Sequence, residues 1–246
     1  MGVKNNKIDN IDDLMAIAGN NLSILEEEVD VEVQKDYFTI AKSFGKQTAE
    51  YAELAKLYLE NINDLFDEKI GTDIKKKMLI ILATIDEVSV YRTIEKMSKQ
   101  EGDLQKWATV ALQQSRMLLQ STLLDDPGVF ISTGLGGQGL LLRYFCVFFN
   151  HIPEPLQAFQ QNIVRKETEI AVQAALGVFE SIEFKNEYTS MLLLLPLHMD
   201  IQALFSELID ECNQYGNFLQ EKMIVTNVKK LSNEEIMALL HGEDQE

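Results

Sequence analysis

The placement of proline constrains this chain more than any other feature. Its four prolines stand at 127, 153, 155 and 196, so the first 126 residues contain none. Proline removes a donor from a helix interior and collides with the preceding turn. A long stretch without it, with apolar residues at three- and four-residue spacing, predicts helix. Val33, Tyr37, Ile40, Ala41 and Phe44 keep that spacing, as do Ala49, Ala52, Leu54, Leu57, Tyr58 and Ile62. They predict a helical stretch over 32–66, divided at Gly45. A shorter helix is expected over 12–28, capped by Asn10 or Asp12, with Leu14, Ile17, Leu22 and Leu25 as a partial stripe.

Gly71-Thr72-Asp73 reads as a stop followed by a cap, and three helices are expected at 74–83, 88–99 and 104–124. Their connectors are short enough to permit only antiparallel neighbours. An echo recurs at a 30-residue offset: Asp73-Ile74-Lys75-Lys76 matches Asp103-Leu104-Gln105-Lys106, and Ile80 and Leu82 match Val110 and Leu112. With Asp86 in the turn, and Trp107-Ala108 and Ala111-Leu112 on the next helix, segment 72–115 resembles a HEAT-like helical repeat. The resemblance implies stacked helix pairs that cover one another's apolar faces. A plain helical bundle satisfies the same pattern.

The grammar changes at the turn cluster Asp125-Asp126-Pro127-Gly128. Val129–Thr133 and Leu140–Phe149 are short and rich in β-branched and aromatic residues, which predicts a β-hairpin with a glycine-rich connection. Pro153-Glu154-Pro155 is expected to open a helix to about 176, with Leu156, Phe159, Ile163, Ile170 and Leu176 on its face and Gly177 as its stop. Val178, Ile182 and Phe184 begin a strand, and 188–195 reads as a central strand ended by Pro196. Within it the apolar block 191–195 has no period, so strand and helix both stay open there. Asp200 caps a helix to Tyr215, Leu219–Val228 is a last strand, and Ser232-Asn233-Glu234-Glu235 is a capping box opening a helix through Leu240.

From 140 to 228 the order is strand, helix, strand, strand, helix, strand, which resembles the ferredoxin-like split βαβ sandwich. That resemblance implies two helices on one face of a four-stranded antiparallel sheet. The expected fold class is therefore α+β: an all-helical, repeat-like or bundled 1–125, then an α+β domain over 126–246 with a C-terminal helix.

Net charge is −17, from 39 acidic and 22 basic residues. Up to Asp125 there are 22 acidic and 15 basic residues, and beyond it 17 and 7. Neither part carries the cation excess that a nucleic-acid backbone or an anionic bilayer demands. A protein partner, basic in character, is expected instead, and neither nucleic acid nor membrane. Lys75-Lys76-Lys77 reads as a solvated helix face. Cys146 and Cys212, each in an apolar setting, fit a reducing compartment. No apolar run approaches the ~20 residues that span a bilayer, and 1–6 has no signal core, so a cytoplasmic location is expected.

No constellation of reactive side chains stands out. Gly134, Gly136, Gly137, Gln138 and Gly139 form the one conspicuous motif, but Leu140-Leu141-Leu142 follow where a phosphate loop would have a lysine or a helix N-terminus. The segment reads as a mobile hairpin loop and a contact point for a partner. In the alternative reading it serves a small-ligand sensor or enzyme, with Ser132, Thr133, Arg143 or His198 in a polar pocket. His151 and His198 are candidates for one sheet edge, and His241 stands apart; none has metal-ligand spacing. No catalytic residue, metal or cofactor is expected, and Trp107 and the nine methionines read as core. The functional expectation is a non-enzymatic interaction or scaffold protein offering helical surfaces and an open sheet face. Segment 226–240, with the apolar stripe Ile236, Leu239 and Leu240, would dock in cis or on another subunit, a homo-oligomer being one such case.

Overall fold

The computed structural model describes residues 22–44, 49–124 and 129–242. Its α+β chain divides into two compact units, Met1–Gly134 and Leu135–Glu246.

The first unit contains β1 (Leu22–Ile24), α1 (Val31–Ser43), α2 (Ala49–Glu60), a 3₁₀ turn (Ile62–Phe66), α3 (Thr72–Leu82), α4 (Val88–Ser98), α5 (Gln105–Leu124) and β2 (Val129–Ile131). Asp30 starts α1 by accepting from the Glu32 N–H at 2.9 Å, which satisfies one of the helix's orphan donors. Tyr37, Leu79, Ile94 and Trp107 are buried in a single cluster with Leu25 and Val29. The Tyr37 ring lies 5.8 Å from that of Trp107, and its hydroxyl donates to Gln114 Oε1 at 2.9 Å, so the buried phenol keeps a polar partner. Helix α5 packs along α4 and also meets α1 and α3, while α1 lies against both α3 and α5.

Several expectations change here. Residues 22–24, assigned to a helix from sequence, form a strand paired parallel to β2, Leu22 opposite Val129. The Leu25 N–H continues the pairing to the Ile131 carbonyl at 3.0 Å. Ile24 and Leu25 are buried, and β2 supplies the backbone partners that a buried segment must have. Residues 25–28 of that expected helix are not helical either, and 12–21 lie outside the described residues, as do the division at Gly45 and the turn 125–128. Helix α3 starts at Thr72, with extended Gly71 at its cap in place of Asp73. Of the three lysines only Lys77 is exposed. Lys75 is 9% exposed, and the Lys76 Nζ sits 4.6 Å over the Trp107 ring, because long aliphatic stems cover apolar surface readily.

The second unit runs β3 (Gly137–Gln138), β4 (Leu141–Asn150), α6 (Ala158–Ala174), β5 (Val178–Phe184), β6 (Tyr188–Pro196), α7 (Ile201–Asn213), β7 (Leu219–Thr226) and α8 (Asn233–His241). Its sheet is antiparallel throughout, in the order β5-β6-β4, with β7 and the short β3 sharing the other edge of β4. Block 191–195 is strand, and its unbroken apolar run follows from cover on both faces. Cys146, Phe148, Met191 and Leu193 pack with Val164, Val172, Phe205 and Leu208 of α6 and α7. Phe145, Val147 and Phe149 point the other way and pack with Ile236 of α8. The sheet face expected to be open is therefore partly covered by the chain's own last helix.

The predicted hairpin is also different. Val129–Ile131 pairs with β1, and the partner of β4 is Gly137–Gln138, joined by a two-residue loop. Gly139 opens that loop with φ of 59°, the place a II′ turn gives to glycine. Pro153 and Pro155 precede α6 instead of opening it, since proline at 155 disfavours a helical Glu154. Gln157 caps the helix, its N–H donating to Gln160 Oε1 at 2.8 Å. At the far end Leu176, not glycine, takes the left-handed position, with φ of 58°. The Gly177 N–H bonds the Val172 carbonyl and the Leu176 N–H bonds that of Gln173, a Schellman ending. Gly177 has a separate reason: a Cβ there would lie 2.4 Å from the Leu194 carbonyl oxygen.

Candidate functional site

Two stripes face each other across α6 and α7. Glu167, Ile170, Ala171 and Ala174 stand at i, i+3, i+4 and i+7 on α6, and Leu204, Glu207, Leu208 and Glu211 repeat that spacing on α7. Such positions lie on one side of a helix. Between them runs a groove of about 580 Å³ with Met199 and Ala175 in its walls. Its floor is aliphatic, and Ile170 is 60% exposed. The alanines at 171, 174 and 175 leave the space that larger side chains would fill. Every ionisable group lining it is a carboxylate: Glu167, Glu207, Asp210 and Glu211. Beneath, the buried Cys212 thiol is pushed up to about 12, chiefly by burial and further by the charges of Glu167 and Glu211.

Of the residues expected on the packed face of α6, Leu156 is buried and Ile163 packs against the core. Phe159, Ile170 and Leu176, expected on its packed face, are exposed. The buried stripe is Val164, Thr168 and Val172. Thr168 conceals it, because a hydroxyl reads as polar. In the fold it donates to the Val164 carbonyl at 2.6 Å, satisfying itself inside the helix.

The glycine motif is held by hydrogen bonds along its first half. Gly134 to Gly137 are buried, and only Gln138, Gly139 and Leu140 are exposed. The Leu135 N–H donates to the Asn227 carbonyl at 3.0 Å, and the Arg143 N–H to that of Gly136 at 3.0 Å. The Arg143 guanidinium donates to the Leu135 carbonyl at 2.8 Å and grips both Glu180 oxygens at 2.7 and 2.8 Å. Bidentate charge-assisted pairs of this kind are strong and directional. Arg143 therefore serves the motif's packing.

The other candidates are scattered. The Thr133 carbonyl accepts from Gln34, and Ser132 is half-buried. His151 and His198 are exposed at opposite ends of the sheet, since β4 meets β6 with Leu141 opposite Pro196 and Phe149 opposite Tyr188. Other grooves are lined by Phe38, Phe44, Met117 and Phe130 in the first unit (about 630 Å³) and by Ser181, Glu183, Lys185 and Asn233 beside α8 (about 370 Å³). Ser132, Thr133, Arg143 and His198 line none of these three. Of the C-terminal stripe, Ile236 is buried, Leu240 half-buried and Leu239 47% exposed. Tyr188 donates to Asn233 Oδ1 at 3.0 Å and the Lys222 ammonium to the Leu239 carbonyl at 3.0 Å, holding α8 on the sheet.

Shifted ionisations mark functional sites when they converge in a cleft. Here the strongly raised groups, Tyr37, Cys146 and Cys212, are all buried in cores and raised first by burial. Among the described residues no group of three or more His, Cys, Asp or Glu side chains could hold a metal ion. No described helix is long and apolar enough to cross a membrane.

No family model and no curated protein matches the chain. Among solved structures it is similar to a "REP associates tyrosine transposase bound to a REP hairpin", at 12% identity and a TM-score of 0.32, over 41% of this chain and 68% of that one. A likeness at that TM-score carries no argument about what this chain does.

Proposed function

We propose that this chain is a non-enzymatic protein-interaction module whose principal contact surface is the α6–α7 side of its second unit. One observation carries the reading: an aliphatic groove of about 580 Å³ opens at the surface with no Ser, Cys, Lys or His among the described residues of its lining, and its only ionisable groups are carboxylates at the rim. Exposed apolar concavities rimmed by polar groups mark binding sites. The strand order β5-β6-β4-β7 supports placing the unit in the ferredoxin-like class, whose outer helices present such a face. The first unit enters this proposal as a bundle and not as a HEAT-like array, given how α1 crosses α3 and α5.

The test is retention of a partner from native lysate by the immobilised full chain, beside a thermal-shift screen of nucleotides, metal ions and common metabolites. Under the proposal a protein is retained at stoichiometric yield and no small molecule raises the melting temperature. Absence of any retained protein, together with a small molecule that stabilises the chain, would overturn it.

A further inference from the structure

The groove's chemistry names the kind of partner it fits. Its floor of Ile170, Ala171, Ala174, Leu204 and Leu208 belongs to two stripes, 167/170/171/174 and 204/207/208/211, each repeating at i, i+3, i+4 and i+7. That spacing is the complement of an amphipathic helix, whose anchors recur at the same interval. The four charged groups at the rim all carry the same sign, and no lysine, arginine or histidine lines the groove among the described residues. The same field reaches inward, where Glu167 and Glu211 add to the elevation of the Cys212 thiol. The wider chain does not neutralise it: beyond Asp125 there are 17 acidic and 7 basic residues.

We infer that the α6–α7 groove docks an amphipathic helix of a partner protein, with aliphatic side chains on its apolar stripe and lysine or arginine flanking that stripe. This rests on the proposed protein-binding function and adds the site and the chemistry of the partner. The division of labour follows from magnitudes. Each exposed ion pair at the rim contributes about 1.5- to 5-fold in affinity and is weakened by salt. The apolar floor supplies the bulk of the binding, and the carboxylates select cationic helices and speed their encounter. A neutral apolar helix would fill the floor but gain nothing at the rim, and an acidic one would be repelled.

The experiment selects a displayed library of amphipathic helices, each roughly 20 residues long and spanning acidic to basic net charge, against the full chain. Recovered peptides should be basic, with aliphatic residues at three- and four-residue spacing. Binding should fall at least tenfold for E207K/E211K and also for I170E, with melting temperatures close to that of the parent because these side chains are exposed. On E207K/E211K the preference should shift toward acidic helices, a result that mere loss of folding cannot produce. The inference is overturned if nothing is enriched, if enrichment ignores charge, or if the variants bind as the parent does. It is also overturned if I170E abolishes self-association of the chain, since a second copy then covers the groove. If lysate partners are retained equally by parent and I170E, this inference falls while the protein-binding function stands. If the parent retains no partner, the broader function falls.

Discussion

At the residue scale, the end of α6 shows how two neighbouring positions can have opposite requirements. Leu176 occupies the left-handed region and is 82% exposed, so it meets a backbone cost of about 1–2 kcal/mol with no packing to offset it. Glycine there would lose about 0.5–1 kcal/mol in chain entropy. We predict that L176G is neutral to stabilising, by up to about 1 kcal/mol, in chemical denaturation. Gly177 beside it has no such freedom, because its missing Cβ would meet the Leu194 carbonyl oxygen. G177A should cost about 1–3 kcal/mol, as overpacking does. The two buried thiols give a pH signature. Folding raises Cys212 from an ordinary value of 9.0 to about 12 and raises Cys146 further, both chiefly through burial. The unfolded chain therefore releases these protons at lower pH than the folded one. The stability they contribute is whole below pH 9.0 and declines as pH rises toward about 12. Melting temperature should fall over that window, and the C146A/C212A variant should show a shallower fall.

At the element scale, α8 is a working part of the second core. Ser232 accepts from the Glu235 N–H and donates its own N–H to the Glu235 carboxylate, the reciprocal cap that the sequence displayed. Ile236 is 1% exposed against Phe145, Val147 and Phe149. I236A should cost roughly 2–5 kcal/mol and increase binding of a hydrophobic dye, whereas L239A should stay within about 0.5 kcal/mol. Equal effects of the two variants would contradict the docking of α8. The elements of the second unit were largely legible because Asp200, Ser232 and Pro196 are local signals whose physics does not depend on the rest of the chain. What was not legible depended on partners distant in sequence. Residues 129–131 look like half of a hairpin until β1, about a hundred residues earlier, takes their backbone groups. The outward face of α6 was hidden because Thr168 is core and Ile170 is surface, against the polarity of both side chains.

At the scale of the whole molecule, charge and the groove's lining support the same proposal. A net charge of −17 repels polyanions, and the α6–α7 groove concentrates that sign around an aliphatic floor. Complexes formed there should weaken with added salt and should not be lost entirely, because screening reaches the rim charges and leaves the apolar burial in place. The candidate site itself was the least legible feature of the sequence. Its residues are ordinary glutamates, leucines and alanines, and only the approach of α6 to α7 makes them a groove. The most direct measurement is hydrogen–deuterium exchange of the full chain with and without its retained protein partner. Slower exchange is predicted in the α6 and α7 segments that line the groove, 167–175 and 204–211. Unchanged exchange there, with protection confined to the glycine segment 134–139 or to α8, would contradict the account.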